Sequence, residues 1–325
     1  METGQTKLSA IIFAVILTTV FAPIPLGAQT SPRAAARCIE GLPCADRQAR
    51  VEFPKTVISL GQDTELEYDS LTISDGTIIQ TNGYSLSFSV EVLKIQGMLS
   101  IRAFDPDARE SPPPSAPQGT AGISQNPGPG TEGGCKTCSG AAGAPGEPGQ
   151  NGANGRPGKD AGTIKIRASR AAEGRLVVRN DGAPGGIGGR GGDGGPGGAG
   201  QQGGRARTGV FDCSNGPGSG GQGGSGGSGG SGGDGGRGGD GGIVVISVPK
   251  GTQIVIDADA RGGTGGNGGD AAKGGPGGPP GFGGRGDGLC QGKEADRMGP
   301  QGQFGANGKP GRPGEAGRKG AVVVN

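Results

Sequence analysis

The sequence predicts an all-β, glycine-rich repeat protein. A small β-rich base carries three long antiparallel hairpins of polyproline II (polyglycine II) type, packed as a six-helix bundle. Three observations predict it. Glycine falls on every third position from Gly182 to Gly203, from Gly220 to Gly241, and from Gly262 to Gly286, where Ala271 and Pro280 fill two slots in phase. That period matches neither helix nor strand, but it matches the three-residue turn of polyproline II, which has no internal hydrogen bonds. Stretches of alternating apolar and polar residues separate these runs, as half-buried strands do. The glycine-rich excursions 105–161, 182–242 and 262–320 span 57, 61 and 59 residues, near-equal lengths that fit segments lying side by side.

Residues 1–28 read as a secretory signal: Lys7 precedes the apolar run Leu8–Ala22, and the segment closes on Leu26-Gly27-Ala28. No later segment is apolar enough to span a membrane, so none is expected after cleavage. Residues 29–50 read as a flexible lead-in. The β-rich base follows over 51–104. Asp75-Gly76 and Asn82-Gly83 give turn signals between apolar runs such as Leu71–Ile73 and Thr77–Ile79, and Leu86, Phe88, Val90 and Val92 alternate with polar residues. Strand pairs are expected at 85–104, at 162–181 (Ile164 and Ile166, then Leu176 and Val178) and at 243–261 (Ile254, Ile256, Ala258). Strand 321–325 closes the glycine-rich repeat region 105–325.

The beat stops in the middle of each excursion, around Cys135–Cys138, Cys213 and Cys290, which marks three hairpin tips. Gly-Gly-x leaves two of three faces bare for close backbone approach, whereas the flanking Gly-x-y runs Gly140–Gly158 and Gly299–Gly320 leave one. The Gly-Gly-x runs are therefore expected inside the bundle and the Gly-x-y runs at its periphery. Backbone N–H groups of each run would bond to neighbouring runs.

Composition narrows the chemistry. Of 325 residues 80 are glycine, with no His, no Trp and two Tyr, so the usual acid–base, metal and stacking residues are scarce. The net charge of +2 does not mark a nucleic-acid partner. No Ser-His-Asp, Cys-His, phosphate-loop or paired-carboxylate arrangement emerges. The reading is non-enzymatic, with no cofactor and no metal.

The Gly-Gly-x runs in antiparallel hairpins resemble the polyglycine II bundles of springtail antifreeze proteins and of phage tip adhesins, over about residues 105–320. The Gly-x-y runs resemble bacterial collagen-like surface proteins, and the strand pairs look like coils of a β-solenoid base. The resemblance implies either ice binding on a flat face or receptor binding through hairpin tips. Along one face, Ile187, Arg190, Asp193, Pro196, Ala199, Gln202 and Arg205 mix charge with apolar groups, and only Ser225, Ser228 and Ser231 form a uniform row. A collagen-like trimeric stalk needs longer unbroken Gly-x-y runs, so a monomer is favoured over a trimer.

Export permits disulfides, and the six cysteines Cys38, Cys44, Cys135, Cys138, Cys213 and Cys290 are candidates. Six cysteines allow 15 pairings. Cys213 with Cys290 would staple adjacent tips, and Cys135 with Cys138 and Cys38 with Cys44 would close local bridges. Free thiols or other pairings stay open. Without His, zinc at Cys135-Lys-Thr-Cys138 would need other cysteines or carboxylates. Gly-Gly-Asp-Gly-Gly around Asp193 and Asp240 resembles calcium-binding nonapeptides, but its period is three and it lacks their apolar anchor. Arg285-Gly286-Asp287 spells an integrin-type tripeptide that this Arg- and Asp-rich repeat generates by chance. Val210, Phe211, Phe282, Leu289, Met298 and Phe304 bring apolar side chains to or near the tips, as a cluster tying the tips together or as a recognition patch. The expected role is an exported structural or adhesive protein of the periplasm, cell surface or extracellular space, contacting a cell-surface or matrix ligand through its tips. The alternative is an ice-binding or other extended-face binder.

Overall fold

The computed structural model describes residues 51–105, 113–115, 117–120, 139–206, 211, 216–286 and 297–325. The expected signal and lead-in over 1–50 lie outside these, as do all six cysteines. The described residues hold no α-helix, and none of their helical turns is long and apolar enough to cross a membrane. The chain is all-β. Its strands are β1 (Val51–Phe53), β2 (Val57–Ser59), β3 (Thr64–Ile73), β4 (Thr77–Gln80), β5 (Leu86–Arg102), β6 (Thr163–Arg179), β7 (Ile243–Ser247), β8 (Gln253–Asp259) and β9 (Ala321–Val324). All nine join one sheet.

Every pairing is parallel. Val51 lies beside Leu71, Thr64 beside Leu86, Leu86 beside Ile164, Ile164 beside Val244, and Val244 beside Val322. Each passage of the chain is thus laid on the previous one in matching register. Alternation in the sequence becomes alternation of burial, as in β3, where Thr64, Leu66, Tyr68, Leu71 and Ile73 turn inward. Leu66, Tyr68, Leu71 and Ile73 join Phe53, Phe88, Ile101, Ile164, Leu176 and Ile246 in one core. Phe53 meets the Tyr68 ring edge-on at 6.1 Å and the Phe88 ring at 6.2 Å. Burial pushes the Tyr68 hydroxyl pKa upward.

The expected turns at Asp75-Gly76 and Asn82-Gly83 are present, as corners with positive φ (76° at Gly76, 53° at Asn82, 85° at Gly83). β3 pairs with β1 and β5 rather than with β4, and β4 pairs in parallel with the far half of β5, Thr77 beside Leu99. One expectation is corrected here. The expected strand pairs 85–104 and 162–181 are each one 17-residue strand, β5 and β6, bent at Gly97 (φ 103°) and Gly174 (φ 102°). A side chain at Gly97 would run into the Asp75 carboxylate, which instead accepts the Met98 N–H at 2.8 Å. Only glycine combines this φ with that approach. The third pair remains two strands, β7 and β8, with Gly251 (φ 80°) between them.

The glycine-rich arms satisfy their backbones through one another. The returning arm of the first excursion, 139–161, donates in parallel to the returning arm of the second, 216–242, from Gly140 to Ser219 (2.8 Å) through to Ala161 to Asp240 (2.9 Å). The latter donates likewise to the returning arm of the third, 297–320, from Gly220 to Arg297 through to Gly241 to Arg318. The outgoing arm 182–206 donates in parallel to the outgoing arm 262–286, from Gly182 to Arg261 through to Ala206 to Arg285. Antiparallel bonds cross between outgoing and returning arms: Gly189 to Ala153, Gly230 to Gly192, Gly269 to Gly233 and Gly311 to Gly269, all at 2.8–2.9 Å. The two phases filled by Ala271 and Pro280 are accommodated by looser neighbours. Ala272 N–H reaches the Gly230 carbonyl at 3.1 Å and Gly200 N–H the Pro279 carbonyl at 3.0 Å, against 2.8 Å for Gly275 to Gly227.

At the foot of the arms, Arg179 Nη1 and Nη2 grip the Asp257 carboxylate at 2.9 and 2.7 Å. The Arg179 hydrogen bond holds the Asp257 pKa below its usual value. The Arg318 backbone N–H and the Arg237 guanidinium do the same for Asp240. Carboxylates with lowered folded pKa values add stability that is present above the ordinary carboxylate range and lost as pH falls through the folded values. Thermal unfolding followed by circular dichroism should be flat between about pH 5 and 8 and fall slightly below about pH 4, a small change because both pairs are exposed to solvent. Asp257→Asn should flatten part of that drop.

Candidate contact surface at the arm tips

The third residue of each glycine triplet carries the outward side chain, so register between arms decides which side chains share a face. Asn151 Oδ1 accepts the Ser231 N–H at 2.8 Å, and Ser231 Oγ accepts the Lys309 N–H at 3.3 Å, which aligns 151, 231 and 309 in one row across the returning arms. Asn154 Oδ1, Asp234 and Arg312 repeat the arrangement three residues on, and Asp160, Asp240 and Arg318 nine residues on. A short Asx or Ser side chain therefore supplies an acceptor for the one N–H per triplet that the glycine pattern leaves over.

The same register run toward the tips gives three rows: Ala142, Gln222 and Pro300; Pro145, Ser225 and Gln303; Pro148, Ser228 and Ala306. All nine are exposed and none is charged. The half nearer the sheet carries Asp234, Arg237, Asp240, Lys309, Arg312, Glu315 and Arg318, with Arg318 Nε 3.2 Å from Asp240. This face is divided into a charged foot and three uncharged rows, beyond which Arg297 stands in the next row with its guanidinium on the Pro217 carbonyl. The sequence shows the serine row, but its flanking columns emerge only once arms about 80 residues apart are aligned.

Of the apolar tip candidates, Phe211 is 92% exposed, Phe282 66%, Met298 50% and Phe304 74%. Phe282 and Met298 stand level on adjacent arms, since Gly299 N–H bonds the Gly281 carbonyl at 3.0 Å. Phe304 sits two triplets nearer the sheet on the same arm as Met298. Val210 and Leu289 lie outside the described residues, as does Asp287 of the Arg-Gly-Asp tripeptide. Among the described residues no group of three or more His, Cys, Asp or Glu side chains is placed to hold a metal ion.

No protein-family model matches the chain, and no curated protein sequence matches it. Among solved structures the chain is similar to a nine polyproline type II helical bundle springtail antifreeze protein from Granisotoma rainieri, at 24% identity over 55% of this chain and 95% of that one, with a TM-score of 0.06. A likeness at that TM-score says nothing of this chain's ligand.

Proposed function

We propose that this is an exported, non-enzymatic structural or adhesive surface protein. Its stacked strands form a short solenoid-like base, its arms are polyproline II hairpins packed as a six-helix bundle, and the tip end makes contact with a cell-surface or matrix ligand. The observation that carries the reading is the segregation along the arms. Exposed Phe211, Phe282, Met298 and Phe304 stand toward the tips, and on the returning arms the Asp240–Arg318 pair stands at the foot, while the outgoing arms carry Arg190 with Asp193 midway and exposed Arg205 and Arg285 farther out. Solvated charge keeps the foot wet, while uncharged rows and exposed rings lose little by desolvation. The near-equal excursions and matching parallel registers support the architecture.

The test is retention of protein-coated beads on cell-surface and matrix preparations. The triple variant Phe211→Ser, Phe282→Ser, Phe304→Ser should lower retention at least tenfold with an unchanged unfolding temperature, because all three side chains are exposed. Equal retention by the variant would reject the tip reading.

The uncharged rows favour a second reading, binding through the flat outer face, with ice as the simplest ligand. Ser225→Lys with Ser228→Lys would then abolish thermal hysteresis, and the Phe variants would leave it intact.

A further inference from the structure

We infer that arm 297–320 is a terminator. The last residue of its triplets puts a side chain where a further arm would pass, so the stack of arms ends there and stays closed to the arms of a second copy. This rests on the arm packing proposed above and not on tip contact.

The first ground is register. Gly232 N–H bonds the Lys309 carbonyl and Gly235 N–H the Arg312 carbonyl, both at 2.8 Å, and Ser231 stands level with Lys309. Gly229, Gly232, Gly235 and Gly238 therefore have Asn307, Pro310, Pro313 and Ala316 as their equivalents on arm 297–320. A Cβ at any of those four glycines would fall on a carbonyl of arm 262–286, namely that of Ala272, Gly269, Gly266 or Gly263. Asn307, Pro310, Pro313 and Ala316 carry that Cβ. One layer on, the same direction is the lane that a further outgoing arm would take, and their side chains stand in it. Glycine is kept on this arm where it meets a backbone that is present: a Cβ at Gly308, Gly311 or Gly314 would fall on the Gly230, Gly233 or Gly236 carbonyl. Pro310 and Pro313 also lack the N–H with which Gly232 and Gly235 reach the next returning arm.

The second ground is hydrogen bonding. Gly185, Gly188 and Gly194 on arm 182–206 donate to the Thr264, Asn267 and Lys273 carbonyls at 2.8–2.9 Å. Their equivalents on arm 262–286 are Gly265, Gly268 and Gly274. Asn307 Oδ1 accepts the Gly274 N–H at 3.0 Å, so a terminating side chain takes the place of the carbonyl that a further arm would offer. The N–H groups of Gly265 and Gly268 meet no acceptor among the described residues. Across the lane, the carbonyls of Gly311, Gly314 and Gly317 accept no N–H among the described residues, although their equivalents Gly233, Gly236 and Gly239 accept from Gly269, Gly266 and Gly263. Gly233, Gly236 and Gly239 are buried, whereas Gly311, Gly314 and Gly317 are half-buried. Both walls of the lane thus keep backbone groups able to take an arm, and rows of such groups template the addition of another chain. The side chains on arm 297–320 keep one out.

The test compares the full-length protein with a variant carrying Asn307→Gly, Pro310→Gly, Pro313→Gly and Ala316→Gly together. The probe is a labelled synthetic peptide of residues 182–203, an outgoing run with the required triplet phase, and binding is read by fluorescence anisotropy. The variant should bind it at least tenfold more tightly than the unmodified protein, and equal affinity overturns the inference. A second measurement does not depend on the multiple variant. Amide exchange at Gly274 should be at least tenfold slower than at Gly268 in the unmodified protein, and in Asn307→Ala the two should exchange alike. Equal rates in the unmodified protein, or a Gly274 that stays slow in Asn307→Ala, overturn the inference. Gly230 and Gly269 report on the packing itself. Slow exchange at both, with either failure above, rejects the terminator alone, whereas fast exchange at both rejects the arm packing and the terminator with it.

Discussion

Gly230→Val is expected to destabilise the arms by about 3 kcal/mol or more, at the top of the range for overpacking. A Cβ at Gly230 would fall on the Gln150 carbonyl of the adjacent arm, and the next atoms behind it are also main chain. A flexible side chain can swing away from such a contact, but a carbonyl bonded into a neighbouring arm cannot. Gly230 N–H is itself bonded to the Gly192 carbonyl at 2.9 Å, and the Gly230 carbonyl accepts the Ala272 N–H at 3.1 Å, so separating the arms to admit the methyl groups strains bonds on both sides. The control is Ser228→Ala, two residues earlier in the same arm. Its side chain is exposed and makes none of these contacts, so it should change stability by no more than about 0.5 kcal/mol. Denaturant unfolding of both variants separates the two phases of the triplet. Equal effects would mean that the bare positions are not held by close backbone approach.

Much of the all-β character is legible in the sequence, because alternation at Leu86, Phe88 and Val90 needs only one buried face. Pairing direction is not. Asp-Gly and Asn-Gly are hairpin signals when two adjacent strands can cover each other. Here each passage is hydrogen-bonded edge to edge with its neighbours in the sheet, and the inward faces share one core, so the same dipeptides serve as corners and the strands run parallel. The break expected inside 85–104 is only a bend, since Gly97 takes a positive φ while the strand continues to Arg102. A three-residue glycine rhythm announces that a run cannot satisfy its own backbone, but it does not name the partner. That is decided by an offset near 80 residues, which also brings the uncharged columns around Ser225 and Ser228 together. Exposure of Phe282 and Phe304 follows once the triplet phase is known, because neither occupies a bare position.

Asn180→Ala is expected to cost about 1–2 kcal/mol, the loss of a buried donor group with two acceptors, offset in part because the substitution also removes the buried Oδ1 that no donor among the described residues meets. Asn180 is fully buried where β6 passes into the second excursion. Its Nδ2 donates to the Gly162 carbonyl at 2.8 Å and to the Ile243 carbonyl at 3.2 Å, the points at which the first and second excursions return to the sheet. Its main chain accepts from Gly242 at 3.0 Å and donates to Asp259 at 2.9 Å. The equivalent positions on the neighbouring passages are Ala103 and Ala260, also fully buried, so the site tolerates a methyl group sterically. The substitution therefore tests the hydrogen bonds with little change in packing. Asn180 is the one of these three positions whose side chain ties both returning chains at once, and its removal loosens the junction between sheet and arms without touching either. Hydrogen exchange should then show faster opening at Gly162 and Gly242 than at Ile101 in the core. Uniform acceleration across the sheet would mean that Asn180 acts only through the global fold.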